Sequence, residues 1–260
     1  MSSRVEIHVI DQNASEWAAQ AAALITTLRR QAVAERGRFL LALSGGRTPE
    51  QLYHRFALDS GASAREWETT RFFFSDERCV PPDHADSNFH LADQALFRPL
   101  NIPPNHIHRM KGEDLNPDAA AKDYEELIRG ATATPTGWPR LDLVLLGVGN
   151  DGHTASLFPG TPALRETRAC VAVGEAPVNP RHRLTLTLGV INHATVVVFL
   201  ATGDGKAAIV QRILEPQQDA DRHLPAALVR PERGRLIWLL DGPAAAMLTD
   251  ESRKDRQRPA

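Results

Sequence analysis

Long hydrophobic runs are missing from this 260-residue chain: none approaches the roughly eighteen apolar residues of a membrane span. The first fifteen residues carry Arg4, Glu6 and Asp11, charges that the apolar segment of a secretory signal does not tolerate. A soluble, cytoplasmic protein is therefore expected. Cysteine is scarce, with only Cys79 and Cys170 and no CxxC spacing, which leaves neither a zinc site nor a disulfide framework and predicts two free thiols. No charge of one sign dominates. Lys and Arg total 30 against 32 for Asp and Glu, a formal net charge of −2, so the electrostatic footprint of a nucleic-acid binder is absent and any basic site must be local. Nor is there an interior linker, an internal repeat or a low-complexity segment. The length suits one large α/β domain over residues 1–260 with a sizeable core, ending in a polar tail from Glu251 that is expected to fray.

What the chain does contain is a regular alternation of strand and helix signals. Val5–Ile10 alternates as an edge strand, and Trp17, Ala21, Ile25, Leu28 and Ala32 then recur at helical spacing. Arg38–Leu43 is a short apolar strand that turns through Ser44-Gly45-Gly46-Arg47 into a helix, with Thr48 suited to the N-cap, Pro49 to the first helical position and Gln51 to a capping box. Arg71–Ser75, with three phenylalanines, is a third strand whose carboxyl end brings Asp76-Glu77-Arg78 to the rim. Asp86 or Ser87 can cap a helix running through Phe97, and Pro117–Arg129 is a helix ending at Gly130. Leu184–Leu188 and Thr195–Ala201 read as neighbouring strands joined by a short helical turn. Gly203-Asp204-Gly205-Lys206 opens a helix to about Leu214, and Arg235–Leu240 is a last strand before a short Ala-rich helix at 243–248. Strands and helices in this order predict a mainly parallel sheet with helices on both faces.

The stretch Leu141–Gly160, LDLVLLGVGNDGHTASLFPG, organises the rest. Its apolar start suits a strand buried on both faces, and the polar turn after it falls where open α/β sheets bind ligands, outside the carboxyl ends of the strands. His153 is the candidate base, since an unperturbed imidazole titrates near about 6.5 and can accept a proton at neutral pH. Asn150, Asp151 and Thr154 stand beside it; the alternative is that Asp151 and His153 only cap a turn. The backbone N–H groups of Gly45, Gly46 and Arg47 at a helix start form a seat for an anion such as phosphate. Lys206 faces the unfavourable end of a helix dipole unless an anion is bound there too. Arg78 could clamp an oxyanion or pair with its acidic neighbours, and Arg183 could contact phosphate or solvent. There is no G-x-S-x-G elbow, so water is the better nucleophile. His106 and His108 lack a third metal ligand in sequence, and Gly147-x-Gly149 lacks the remaining signature of a dinucleotide loop.

With these residues laid out, the chain resembles the 6-phosphogluconolactonases of the glucosamine-6-phosphate isomerase/6-phosphogluconolactonase superfamily. The resemblance runs from the SGG loop through SDERCVPPDHADSN, GVGNDGHTASLFPG and RLTLTLGVIN to ATGDGKAAIV and LPAALVRP. It implies a three-layer αβα sandwich with a mainly parallel, Rossmann-like sheet, no metal and no organic cofactor. The implied reaction is hydrolysis of 6-phospho-D-glucono-1,5-lactone to 6-phosphogluconate in the pentose phosphate pathway, by an enzyme that is a monomer or small homo-oligomer and binds neither nucleic acid nor membrane. By position, the resemblance implies that His153 activates water, that Asp151 and Arg78 position it and the substrate, and that Ser44, Gly45, Gly46, Arg47, Thr48, Asp76, Asn150, Arg183 and Lys206 bind the phosphorylated substrate. It departs at Arg47, where related sequences often carry Ser or Thr. The sister deaminase/isomerase branch resembles GHIAFNEP after its histidine; here the motif is GHTASLFP, with Phe158 in place of the ring-opening Glu. A deaminase and a non-catalytic sugar-phosphate-binding module are the alternatives.

Overall fold

A computed structural model describes residues 4–10, 13–60, 64–254 and 258–259. Its strands are β1 (Arg4–Ile10), β2 (Phe39–Leu43), β3 (Thr70–Phe74), β4 (Asp76–Arg78), β5 (Leu143–Leu146), β6 (Val171–Glu175), β7 (His182–Leu186), β8 (Val196–Ala201), β9 (Arg235–Asp241) and β10 (Arg258–Pro259). The helices are α1 (Ala14–Arg36), α2 (Arg47–Asp59), α3 (Asn88–Ala92), α4 (Arg98–Leu100), α5 (Pro117–Thr132), α6 (Leu188–His193), α7 (Ala207–Leu214) and α8 (Asp250–Lys254), with a π-type turn at Asp93–Phe97 joining α3 to α4.

The main sheet runs β10-β1-β9-β8-β5-β2-β3, parallel throughout except for the two-residue β10 against β1. Its central strands are apolar on both faces because both faces are covered. In β5, Leu143 and Leu145 point into one core with Trp17, Ile25, Leu52, Phe56 and Trp67 from the α1–α2 side, while Val144 and Leu146 point into the other with Tyr124, Ile128, Val190 and Ile209. β8 alternates in the same way, Val198 and Leu200 against Val197 and Phe199. The expected αβα layering is what the chain adopts. Phe199 stacks on Trp238 with ring centroids 4.1 Å apart, both fully buried. Phe199→Ala should therefore lower unfolding free energy by about 3–5 kcal/mol, read as a lower denaturant midpoint at unchanged slope.

From β2 the chain steps outward to β3, whereas from β5 it steps the other way through β8 to β9. The strand order thus reverses between β2 and β5, which opens a crevice at their carboxyl ends.

Several local expectations are corrected. The strand at 182–186 is not a neighbour of β8: it lies in a separate antiparallel sheet, β4-β7-β6, because its Leu face joins the second core while Thr185 faces Asp76. Strand β6, which carries no clear alternation, was not expected. Thr48 is not the N-cap of α2; Gly46, at φ 106°, caps the helix two residues earlier, and the Thr48 hydroxyl instead meets that of Thr202 at 2.7 Å. Ser87 does cap its helix, accepting from the His90 N–H at 3.1 Å. Helix α5 continues past Gly130 to Thr132 and stops at Ala133 in the left-handed region. Residues 243–248 form successive turns rather than a helix, pinned by Asp241 accepting from the Ala244 N–H. Glu77 does not stand at the rim; it is buried. In the tail, Ser252 is buried and donates to Glu215, while residues 255–257 and 260 of the segment expected to fray, like Asp11 near the start, lie outside the described residues.

Candidate active site

A cleft of about 610 Å³ opens at the reversal of strand order. The loops after three strands and one short strand build it: Ser44–Thr48 after β2, which runs into the start of α2, Gly147–His153 after β5, Thr202–Lys206 after β8, and Asp76 and Arg78 from β4. The first loop is held from below. Tyr53, buried in α2, donates its hydroxyl to the Ser44 carbonyl at 2.6 Å and accepts the Ser44 N–H at 3.0 Å. No side chain caps α2, so the N–H groups at its start remain directed at the cleft.

After β5, the Thr154 hydroxyl bonds the Gly147 carbonyl at 2.9 Å and folds the turn back on the strand. His153 Nδ1 lies 2.5 Å from Asp151 Oδ1, and the same oxygen accepts the His153 N–H at 3.1 Å. The ring rests on Phe158, with centroids 4.4 Å apart, and on Gly149, where an added Cβ would fall 2.1 Å from Nδ1. The imidazole is thus fixed in orientation with one edge in the cleft and its side chain 32% exposed. Burial alone would raise the Asp151 carboxyl, but the His153 N–H and ring outweigh it and hold the group below its ordinary value. The ring's partner therefore stays ionised to a lower pH than an ordinary aspartate.

Cations surround the other end. Lys206 Nζ donates to Asn150 Oδ1 at 2.8 Å; burial depresses its pKa, Asp151 raises it and Arg47 lowers it further. Arg78 donates to the Asp86 carbonyl at 2.5 Å and leaves its buried Nε without a partner. Arg183, opposite Arg78 in the β4–β7 register, is also buried with an unpartnered Nε, and burial with the nearby Arg78 charge depresses its pKa. None of the ion pairs among the described residues uses Arg47, Arg78, Arg183 or Lys206. Such unpaired positive charge at an uncapped helix start favours a bound anion.

Of the candidates named from sequence, His153, Arg78, Ser44, Gly45, Gly46, Arg47, Thr48, Asp76 and Lys206 line the cleft. Asp151, Asn150 and Arg183 do not line it: Asp151 bonds His153, Asn150 accepts from Lys206, and Arg183 is buried next to Arg78 on the paired strand. His106 and His108 lie elsewhere; no group of three or more potential metal ligands occurs among the described residues. Sequence reasoning missed Asn88 and Ser156 as parts of the site. Neither had a local signal, since their contacts with Gly45 and Asp76 are made across the fold.

Comparison with known proteins adds the following. The family described as glucosamine-6-phosphate isomerases/6-phosphogluconolactonase matches residues 12–238. A rat 6-phosphogluconolactonase is 44% identical over 216 residues, covering 82% of each chain. One from Synechocystis is 41% identical, covering 86% of this chain and 90% of its own. Among solved structures, 6-phosphogluconolactonase from Trypanosoma cruzi superposes with a TM-score of 0.85 at 32% identity, over 96% of this chain and 98% of that one.

Proposed function

The chain belongs to the glucosamine-6-phosphate isomerase/6-phosphogluconolactonase family, and we propose that His153 is the base with which it works. It is a hydrolase that opens 6-phospho-D-glucono-1,5-lactone to 6-phospho-D-gluconate in the pentose phosphate pathway. One observation carries the assignment of roles: an imidazole fixed by a carboxylate and an uncapped, cation-ringed helix start share one cleft.

The substrate phosphate sits on the N–H groups of Gly45, Gly46 and Arg47, with Ser44, Thr48, Arg47 and Lys206 around it and Arg183 adding charge from behind. Asn150 holds the Lys206 ammonium in place. These contacts are remote from the reacting carbon and serve to orient it. His153 takes a proton from water as the oxygen attacks the lactone carbonyl, and Asp151 stabilises the imidazolium that forms. Charge develops on the carbonyl oxygen, and the Arg78 guanidinium, which lines the cleft, is the donor to it; a well-placed donor of this kind contributes about 10²–10³-fold. The tetrahedral intermediate then collapses. The bond from C1 to the ring oxygen breaks, and that oxygen leaves as the C5 hydroxyl with the proton His153 carries. Asp76 accepts from a sugar hydroxyl.

In the sister branch the ring-opening carboxylate would follow the histidine at the position of Phe158. Here an apolar ring fills that place against His153. No ammonium release from glucosamine 6-phosphate is expected. The reading includes a cytoplasmic location, a monomer or small homo-oligomer, and no nucleic-acid or membrane partner; no helix among the described residues is long and apolar enough to cross a membrane, and a rice relative is named as chloroplastic.

Lys206→Ala tests the division of labour. With freshly made lactone and product read through a coupled dehydrogenase, it should raise KM about tenfold or more for the phosphorylated lactone and scarcely for unphosphorylated glucono-1,5-lactone, since loss of one charge-assisted contact costs roughly 1.5–3 kcal/mol. Equal effects on both substrates would remove Lys206 from the phosphate site.

A further inference from the structure

Asn88, at the start of α3, is 2% exposed and lines the cleft, yet its polar atoms are turned towards the protein. Its Nδ2 donates to the Asp76 carbonyl at 2.9 Å and to Asp76 Oδ1 at 3.1 Å. Its Oδ1 presses on the anion loop so closely that a Cβ on Gly45 would fall 1.8 Å from it. The other carboxylate oxygen of Asp76 accepts from the Ser156 hydroxyl at 2.7 Å, and the Ser156 N–H is in turn held by Thr185 at 3.1 Å. Ser156 is three residues past His153 on the same turn.

The start of α3 is itself fixed by a buried carboxylate. Glu77 accepts the N–H groups of Arg78, Asn88 and Phe89 at 2.7, 2.7 and 2.8 Å and the Ser87 hydroxyl at 3.0 Å. Every partner is a donor, so the amide of a glutamine would set N–H against N–H on one side or the other.

From this arrangement we propose that Asn88 is a positioning residue: its amide locks the phosphate-binding loop at Gly45 to Asp76, and through Ser156 to the turn that carries His153. Tyr53 holds the anion loop from below and Thr154 pins the His153 turn; Asn88 is the tie between them, and it tunes the distance from anion cradle to base that decides whether a phosphate-anchored lactone presents its carbonyl to His153. The inference rests on the proposed function for its kinetic readout.

A double-mutant cycle of Gly45→Ala and Asn88→Ala tests it. Gly45→Ala alone should lower kcat/KM about 10²-fold, because the new methyl collides with the Asn88 amide and displaces the loop. Asn88→Ala alone should cost about tenfold, with kcat falling as well as KM rising. The double variant should be no worse than Asn88→Ala, since the collision partner is gone. Penalties that simply multiply would overturn the proposal.

Asn88→Asp supplies a readout that a merely structural role would not move. It places a second carboxyl against Asp76, with Glu77 and Arg78 on the same strand, Arg183 across from it on β7 and Tyr53 beneath on α2. A proton shared between the two carboxyls would restore the lost donor, so activity relative to wild type should rise as pH falls. A ratio independent of pH would contradict the proposal. Failure of the two readings is distinguishable: if the wild-type protein turned over no lactone, the proposed function would fall, and the cycle would be read from affinity for inorganic phosphate, in which the Gly45→Ala defect should again vanish with Asn88 removed.

Discussion

Replacing His153 with alanine lowers kcat for 6-phospho-D-glucono-1,5-lactone by about 10²–10⁴-fold, the usual contribution of a positioned general base. The fold should survive. The side chain is partly exposed, its ring packs on Phe158 and Gly149, and no core residue depends on it for a hydrogen bond. The Thr154 hydroxyl still pins the turn to Gly147. The loss should therefore appear in kcat with little change in KM, because the phosphate seat on the far side of the cleft is untouched. Circular dichroism and melting temperature close to wild type, together with near-wild-type turnover, would remove His153 from the chemistry.

Gly149→Ala should be nearly as damaging without touching a reactive group. The added Cβ would stand 2.1 Å from both Cε1 and Nδ1 of His153 and 2.7 Å from Asp151 Oδ1, well inside any real contact. Either the ring rotates off its carboxylate or the turn shifts. Both outcomes displace the base by a distance of the order of 1 Å, for which a loss of about 10²-fold in kcat is expected, with about 1–3 kcal/mol of destabilisation from the crowding. KM should rise less than kcat falls. Wild-type kinetics in a folded Gly149→Ala protein would mean that the imidazole does not need the orientation seen here.

What the sequence disclosed, and what it hid, follows from which forces are local. Strands β2, β5 and β8 are legible because a strand covered on both faces must be apolar on both, and the glycine-rich turns after them stand out by contrast. The SGG loop, the DGH turn and Lys206 were all readable as separate anion or base signals, and the order reversal between β2 and β5 is what brings them together. β7 was legible as a strand but not as a member of the smaller sheet, since alternating Leu and Thr look the same whichever partner they pair with. Thr48 carried a good capping signature, and the positive φ of Gly46 made it unnecessary. Glu77 looked like part of a solvated charged triplet; three of its four donors, the Asn88 and Phe89 N–H groups and the Ser87 hydroxyl, reach it only when α3 packs against β4. Asn88 escaped notice for the same reason, because its importance lies in contacts with Gly45 and Asp76 that no spacing encodes.

The central claim is that an imidazole beside an anion seat removes the proton from the attacking water. It is tested most directly by comparing kcat in H₂O and D₂O on freshly generated lactone, with the coupling dehydrogenase in excess and spontaneous hydrolysis subtracted. The account predicts that wild-type turnover slows in D₂O, because that proton is in flight at the rate-limiting barrier, and that the residual activity of His153→Ala shows no such slowing beyond that of the uncatalysed reaction. A wild-type kcat indifferent to D₂O, or a trapped covalent acyl-enzyme, would contradict it.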